Sequence, residues 1–385
     1  MDSQVAAPGR YYRPELDVVR FLAFLFVFLT HTLPHRGEAR VDALLKGYTN
    51  LYYNSASACV FGLSLFFTLS AFLICELLLR EKQATGTVHV RQFYIRRILR
   101  IWPLYYLGLA LSLPFAFPLA AHHDTLVGMS WYAVFLGAWY SAIYAVIDTP
   151  AGPLWSVSVE EQFYLFAPWL VKHCGRRSLF GFCILLLAVA NVWIFFLGRA
   201  RVPTIRIWNN TFVQFECFAA GILLCLILRA RLPKLALWQR PTLFAAGWLC
   251  WLAAIYLVPH GLNSDDAPGS WRLIGQYALA SLGCVLILVA FLGTNPKLLP
   301  GWAVYLGRIS YGLYVYHGFA IYLTKRFLFS PVGSYTSPVF FLKGLAALAL
   351  DILMAAISFR YFETPFLRWK KRYAIIQSQP VAGAS

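Results

Sequence analysis

An all-α, polytopic bundle of membrane helices is the fold class this sequence predicts, and three observations predict it. Of 385 residues, 60% are hydrophobic and 13% charged, with a mean hydropathy of +0.62, a balance foreign to ordinary soluble domains. Apolar runs long enough to cross a bilayer recur along the whole chain. Most of the Lys and Arg behind the net charge of +17 fall in the short loops between those runs, so they read as topology signals and not as a nucleic-acid footprint. The eight cysteines are scattered singly, with no C-x-x-C and no His at metal-ligand spacing, so neither a disulfide nor a metal centre is expected.

The first run, residues 16–33, organises the chain because it carries Asp17, Arg20 and His31. It ends in Leu33-Pro34-His35 without small residues before a cut site, so it is expected to be retained and not cleaved as a signal. At about 1.5 Å per residue, Arg20 and His31 stand roughly 16 Å apart near the same helix face. Ionisable groups inside a bilayer usually face a bundle interior or a wet cavity. The plainer alternative is that Asp17 and Arg20 snorkel to the interface and His31 ends the helix.

The second run, residues 57–79, contains Phe66-Phe67-Thr68-Leu69-Ser70-Ala71-Phe72-Leu73-Ile74. A basic loop follows at 80–100 and is expected in the cytoplasm, with a third run at 101–119 leading outward. The segment 129–147 is apolar and aromatic but lacks flanking positive charge, so it is expected to be re-entrant or interfacial. Further runs fall at 154–171, 179–197, 211–228, 242–258, 273–292, 309–329 and 339–361. With 129–147 left out, the inner stretches hold 21 Lys and Arg and the outer ones 6. Ten spanning helices are therefore expected, in one domain over 1–373 with both termini cytoplasmic and a short disordered tail at 374–385. Arg20 then lies toward the inner face, whereas His31, Glu160 and Glu161 lie toward the outer one.

Four features bear on chemistry. His31 suits general-base work on a hydroxyl, although a lone histidine at a helix end is more often structural. In Leu154-Trp155-Ser156-Val157-Ser158-Val159-Glu160-Glu161-Gln162-Phe163-Tyr164, the adjacent carboxylates fit helix capping. They also point about 100° apart, so one, expected to be Glu160, faces inward. Arg96 or Arg97 shares a helix face with Arg100, an arrangement able to hold phosphates, though it also serves as a topogenic cluster. Finally, Ser310-Tyr311-Gly312-Leu313-Tyr314-Val315-Tyr316-His317 puts a polar stripe on an apolar helix, with an interfacial aromatic belt as the alternative, and Phe362-Glu363-Thr364-Pro365 follows later. No Walker loop, G-x-S-x-G elbow or G-x-G-x-x-G is present.

In this order the motifs resemble those of the acyltransferase 3 family of integral membrane acyltransferases, over residues 16–365. Leu16-Asp17-Val18-Val19-Arg20 with His31 resembles the opening signature; Phe66 to Ile74, the arginine cluster through Pro103 and Tyr105, the Leu154 to Tyr164 block, Ser310 to His317, and Glu363 with Pro365 complete it. Two departures concern packing: Ala71 and Val18 stand where glycine is common. The resemblance implies a cytosolic acyl-CoA donor, an acceptor hydroxyl of a carbohydrate or glycoconjugate, and His31 as the leading catalytic residue; Glu160 is expected to fix the His31 tautomer or stabilise its charge. The resemblance also implies donor or pore roles for Arg20, Arg96, Arg97, Arg100, Tyr105 and Ser70. Supporting roles are expected of Asp17, Trp155, Ser158, Glu161, Tyr311, His317 and Glu363. The expected protein is an O-acetyltransferase of a bacterial inner membrane that uses acetyl-CoA as co-substrate, with no tightly bound cofactor, no metal and no nucleic-acid partner. Some relatives carry a hydrolase-like domain after the last helix; none follows within these residues, so a second acyl-transfer step is not expected here. A transporter or flippase of a lipid-linked substrate is the alternative, since charges along a pore also serve passage.

Overall fold

The computed structural model describes residues 11–34, 42, 45–116, 122–258, 269–328 and 337–376, and among them it is helical with no strand. Helix α1, Pro14–Thr32, opens on a proline, whose fixed φ suits the first turn, and stops just before Pro34. A short helix α2, Thr49–Ala58, leads through a tight turn into α3, Gly62–Thr85, which ends at Gly86 with φ +77°. Helix α4, Val90–Ala116, carries the arginines on its first half.

The segment 129–147 falls in two short helices, α5, His122–Ala133, and α6, Gly137–Ile143, broken at Phe135 with φ +57°. At 12 and 7 residues they reach about 18 Å and 10 Å, each short of a hydrocarbon core of about 30 Å. Next come α7, Trp155–His173; α8, Arg176–Arg199; the short α9, Thr204–Trp208; α10, Thr211–Leu228; α11, Gln239–Leu257; and α12, Ser270–Phe291. The chain continues through α13, Gly301–Arg308, α14, Ser310–Leu323, α15, Ser337–Ser358, and α16, Thr364–Lys371.

Among the described residues, seven helices are long and apolar enough to cross a membrane: Lys46–Thr85, Val90–Ala116, Arg176–Arg199, Thr211–Leu228, Gln239–Leu257, Ser270–Phe291 and Phe341–Lys371. The helices left out carry most of the candidate chemistry. Helix α1 holds Glu15, Asp17 and Arg20, helix α7 holds Glu160, Glu161 and Lys172, and α13 and α14 are only 8 and 14 residues long. Three charged residues in each of α1 and α7, and the shortness of α13 and α14, set these helices apart from the seven.

Close helix approach positions the site. A Cβ on Gly307 would run into the backbone carbonyl of Asp17, so α13 lies directly against the charged end of α1. A Cβ on Gly221 of α10 would likewise meet the Thr68 carbonyl of α3 and, at 2.9 Å, the Ala71 methyl. The closeness that glycine at position 71 would allow is supplied from the opposite helix, as small residues do in membrane packing. Phe218 stacks on Phe67 at 5.1 Å and on Phe163 at 4.5 Å, joining α3, α7 and α10 in the core. Lys82, in the last turns of α3, also closes the end of α7: its Nζ donates to the Val171, Lys172 and Cys174 carbonyls at 2.8, 2.9 and 3.2 Å, where α7 leaves carbonyls unsatisfied.

Candidate active site

A cavity of about 200 Å³ opens between α1, α3, α4, α7 and α14. Its wall carries Arg20 from α1, Arg96, Arg97 and Arg100 from α4, and Lys370 from α16, against the carboxylates of Asp17, Glu81 and Glu160. The excess of cations follows from local sequence. An arginine repeat at three- and four-residue spacing keeps Arg96, Arg97 and Arg100 on neighbouring faces of one helix.

Each cation is held differently. Arg20 pairs with Asp17 within the first turns of α1, and Tyr12 donates to the other Asp17 oxygen at 3.0 Å. Arg96 bonds Glu81 at 3.0 Å and the Tyr373 carbonyl at 2.8 Å, tying α4 to α3 and to the segment after α16. Arg97 lies over the Tyr164 ring at 5.2 Å and the Phe93 ring at 5.4 Å, and its buried Nε has no hydrogen-bond partner. The aromatic support fixes the guanidinium and leaves donors free for a ligand.

Glu160 stands among these arginines, accepting a 2.8 Å hydrogen bond from Tyr164, whose hydroxyl lies 2.8 Å from Ser70 Oγ. This corrects one expectation: Glu160 belongs with the arginines and not beside His31. Five residues into α7, it lies about 7.5 Å along the helix from Trp155 and shares the cavity wall with the α4 arginines. Glu161 turns away, accepting from Trp102 Nε1 at 3.1 Å.

His31 is exposed and outside the cavity wall. The ring beside it is His317, at a centroid separation of 5.4 Å. His317 is buried, with Nδ1 2.6 Å from the Tyr314 carbonyl of its own helix. The two stations meet at Tyr314, which lines the cavity and has its ring 5.4 Å from that of His317. Its hydroxyl donates to the Pro153 carbonyl at 2.9 Å and shares a 2.5 Å hydrogen bond with Ser156, also on the cavity wall.

Other expected residues scatter. Tyr105, expected with the donor residues, is fully buried away from the cavity wall: its hydroxyl donates to the Tyr132 carbonyl at 2.7 Å and its ring stacks on Phe135 at 4.6 Å. Ser158 accepts from the Gly137 backbone N–H at 3.1 Å. Both residues anchor the α5–α6 segment, a tie between distant parts of the chain that spacing does not reveal. Trp155 packs in the core, Tyr311 lines the cavity and donates to the Ile101 carbonyl at 2.9 Å, and Glu363 is buried with Oε1 lacking a hydrogen-bond partner. Lys370, Tyr164, Ser156 and Tyr314 are wall residues that sequence reasoning did not single out. Lys370 hides in an ordinary basic run, and the other three stand inside recognised motifs whose mutual contact spacing cannot show. Ala374 and Ile376, in the expected tail, also line the cavity; residues 377–385 lie outside the described residues. All eight cysteines are free, and among the described residues no cluster of three His, Cys, Asp or Glu is placed to hold a metal.

Guanidinium groups around a cleft suit a polyanionic ligand, and the helices around it are those of a polytopic membrane protein. The chain belongs to the acyltransferase 3 family, whose acyltransferase domain model matches residues 13–356. SAR0937 of Staphylococcus aureus is 23% identical over 94% of this chain and 59% of its own length. The peptidoglycan O-acetyltransferase OatA of Listeria monocytogenes is 24% identical over 97% of this chain and 60% of its own. The O-acetyltransferase OatA of Staphylococcus aureus is 22% identical over 79% and 52%. The chain thus spans somewhat more than half the length of these relatives. No solved structure matches.

Proposed function

We propose that this protein is a membrane O-acyltransferase, in the first instance an O-acetyltransferase, that takes its acyl group from cytosolic acyl-CoA and delivers it to a hydroxyl of a carbohydrate or glycoconjugate. The carrying observation is the cavity itself, where Arg20, Arg96, Arg97, Arg100 and Lys370 converge beneath the Tyr314–Ser156 hydrogen bond, with the two histidines beyond it. Guanidinium forks match the phosphates of a nucleotide-bearing donor, and Tyr314 stands where a thin thioester arm would pass toward His31. Family membership and relatives whose names include O-acetyltransferase support acyl transfer, and the peptidoglycan named for one of them supports a cell-envelope glycan as acceptor.

In this reading ten helices span a bacterial inner membrane as one domain. They are the seven apolar ones together with α1, α7 and the α13–α14 pair, with α5 and α6 at the outer face and both termini cytoplasmic. The acceptor hydroxyl is deprotonated by His31 and attacks the thioester, or His31 first takes the acyl group itself. Glu160, held by Tyr164, balances Arg97 and Arg100 on the donor side. Transport of a lipid-linked substrate has no observation in its favour. The test is transfer of label from acetyl-CoA to membrane glycan, with wild type compared to His31→Ala at matched protein. Label only with wild type supports the proposal; equal label with both sinks the role of His31.

A further inference from the structure

His317 was expected only to support the site, yet its surroundings are those of a residue that acts on His31. It is 1% exposed, one turn above Tyr314 on α14, and its Nδ1 lies 2.6 Å from the Tyr314 carbonyl. A carbonyl oxygen can only accept, so Nδ1 carries the ring proton and Nε2 presents a lone pair. That Nε2 is buried and has no hydrogen-bond partner, a costly state inside an apolar bundle. The neighbouring ring is His31, at 5.4 Å between centroids and 34° between planes.

We propose that His317 is a positioning residue for acyl transfer, one that accepts a hydrogen bond from His31 and thereby fixes which His31 nitrogen faces the acceptor hydroxyl. This rests on the acyltransferase reading above. In the direct-transfer route the acceptor oxygen forms a bond to the acyl carbon and its proton goes to the His31 nitrogen that faces it. The C–S bond then breaks, and the proton returns from His31 to the departing CoA thiolate. Throughout, the other His31 nitrogen keeps its N–H toward His317 Nε2, which holds the imidazolium that forms between the two steps. The chain of contacts runs from Tyr314 at the cavity wall through its carbonyl to His317 and on to His31, so one wall of the donor cavity and the base are set by one turn of helix.

The experiment compares purified full-length wild type, His31→Ala, His317→Leu and His317→Gln in lipid nanodiscs, reading kcat and KM for acetyl-CoA together with thermal stability. Glutamine can place an amide oxygen where Nε2 stands, and leucine cannot. His317→Leu is expected to lower kcat about 100-fold or more with KM changed less than about threefold, while His317→Gln recovers at least tenfold of that loss. If leucine prevents folding, His317→Met takes its place. Equal kcat loss in the glutamine and apolar variants, or an apolar variant that keeps wild-type kcat, overturns the assignment while an inactive His31→Ala leaves the acyltransferase reading standing. Absence of transfer by wild type itself brings down that reading and this one with it.

Discussion

Replacing Arg97 by alanine should strike donor binding and spare turnover. Its guanidinium lies over Tyr164 at 5.2 Å and Phe93 at 5.4 Å, with Nε lacking a hydrogen-bond partner and Arg100 one turn away on the same helix. A hydrogen bond from a charged group contributes about 1.5–3 kcal/mol net, and each 1.4 kcal/mol is about tenfold in affinity, so KM for acetyl-CoA should rise roughly 10- to 150-fold. Turnover at saturating donor should change little, because Arg97 is on the cavity wall and His31 is not. Lysine at 97 keeps the charge but loses the planar fork, so an intermediate KM is expected. The assay is CoA release by the purified protein over a range of donor concentrations. A collapse of kcat with KM unchanged would refute the placement of the donor among these arginines.

Three further outcomes follow from the packing. Gly307→Val should destabilise the protein by about 1–3 kcal/mol or prevent folding, since any Cβ there meets the Asp17 backbone, whereas Gly181→Ala, in open space within α8, should not lower the melting temperature. Tyr105→Phe removes a buried 2.7 Å hydrogen bond that ties α4 to α5, so thermal stability should fall by about 0.5–1.5 kcal/mol with the donor KM unaltered. Breaking the Tyr314–Ser156 contact with Tyr314→Ala should lower kcat for acetyl transfer by more than tenfold while donor binding, measured with CoA itself, stays within about threefold; a loss of CoA binding would place Tyr314 in the donor site instead.

The sequence reveals most about the elements whose apolar runs are uninterrupted. The expected runs at 179–197, 211–228 and 273–292 lie almost wholly within Arg176–Arg199, Thr211–Leu228 and Ser270–Phe291, because charged residues within them are few and the apolar run stays long. The helices bearing Asp17, Glu160 and His317 stand out by their charges and motifs, yet hydropathy and length alone miss them as spans. What spacing could not show is partner choice. Glu160 and His31 each looked suited to the other, but they come from α7 and α1, and the bundle gives Glu160 to Tyr164 and the α4 arginines while setting His31 beside His317. Tyr105 illustrates the converse: it stands in a motif with the arginines, yet helix geometry turns it toward Tyr132. Lys370 reaches the cavity from a basic run that looks purely topogenic.

Sidedness tests the central claim most directly. Sealed vesicles of known orientation would be given labelled acetyl-CoA either outside or inside, with wild type or His31→Ala, and label on glycan would be measured. Transfer by wild type only when the donor meets the face bearing Arg96, Arg97 and Arg100, and none by His31→Ala, is the result this account predicts. Transfer that requires donor on the His31 face, or that survives His31→Ala undiminished, would contradict it.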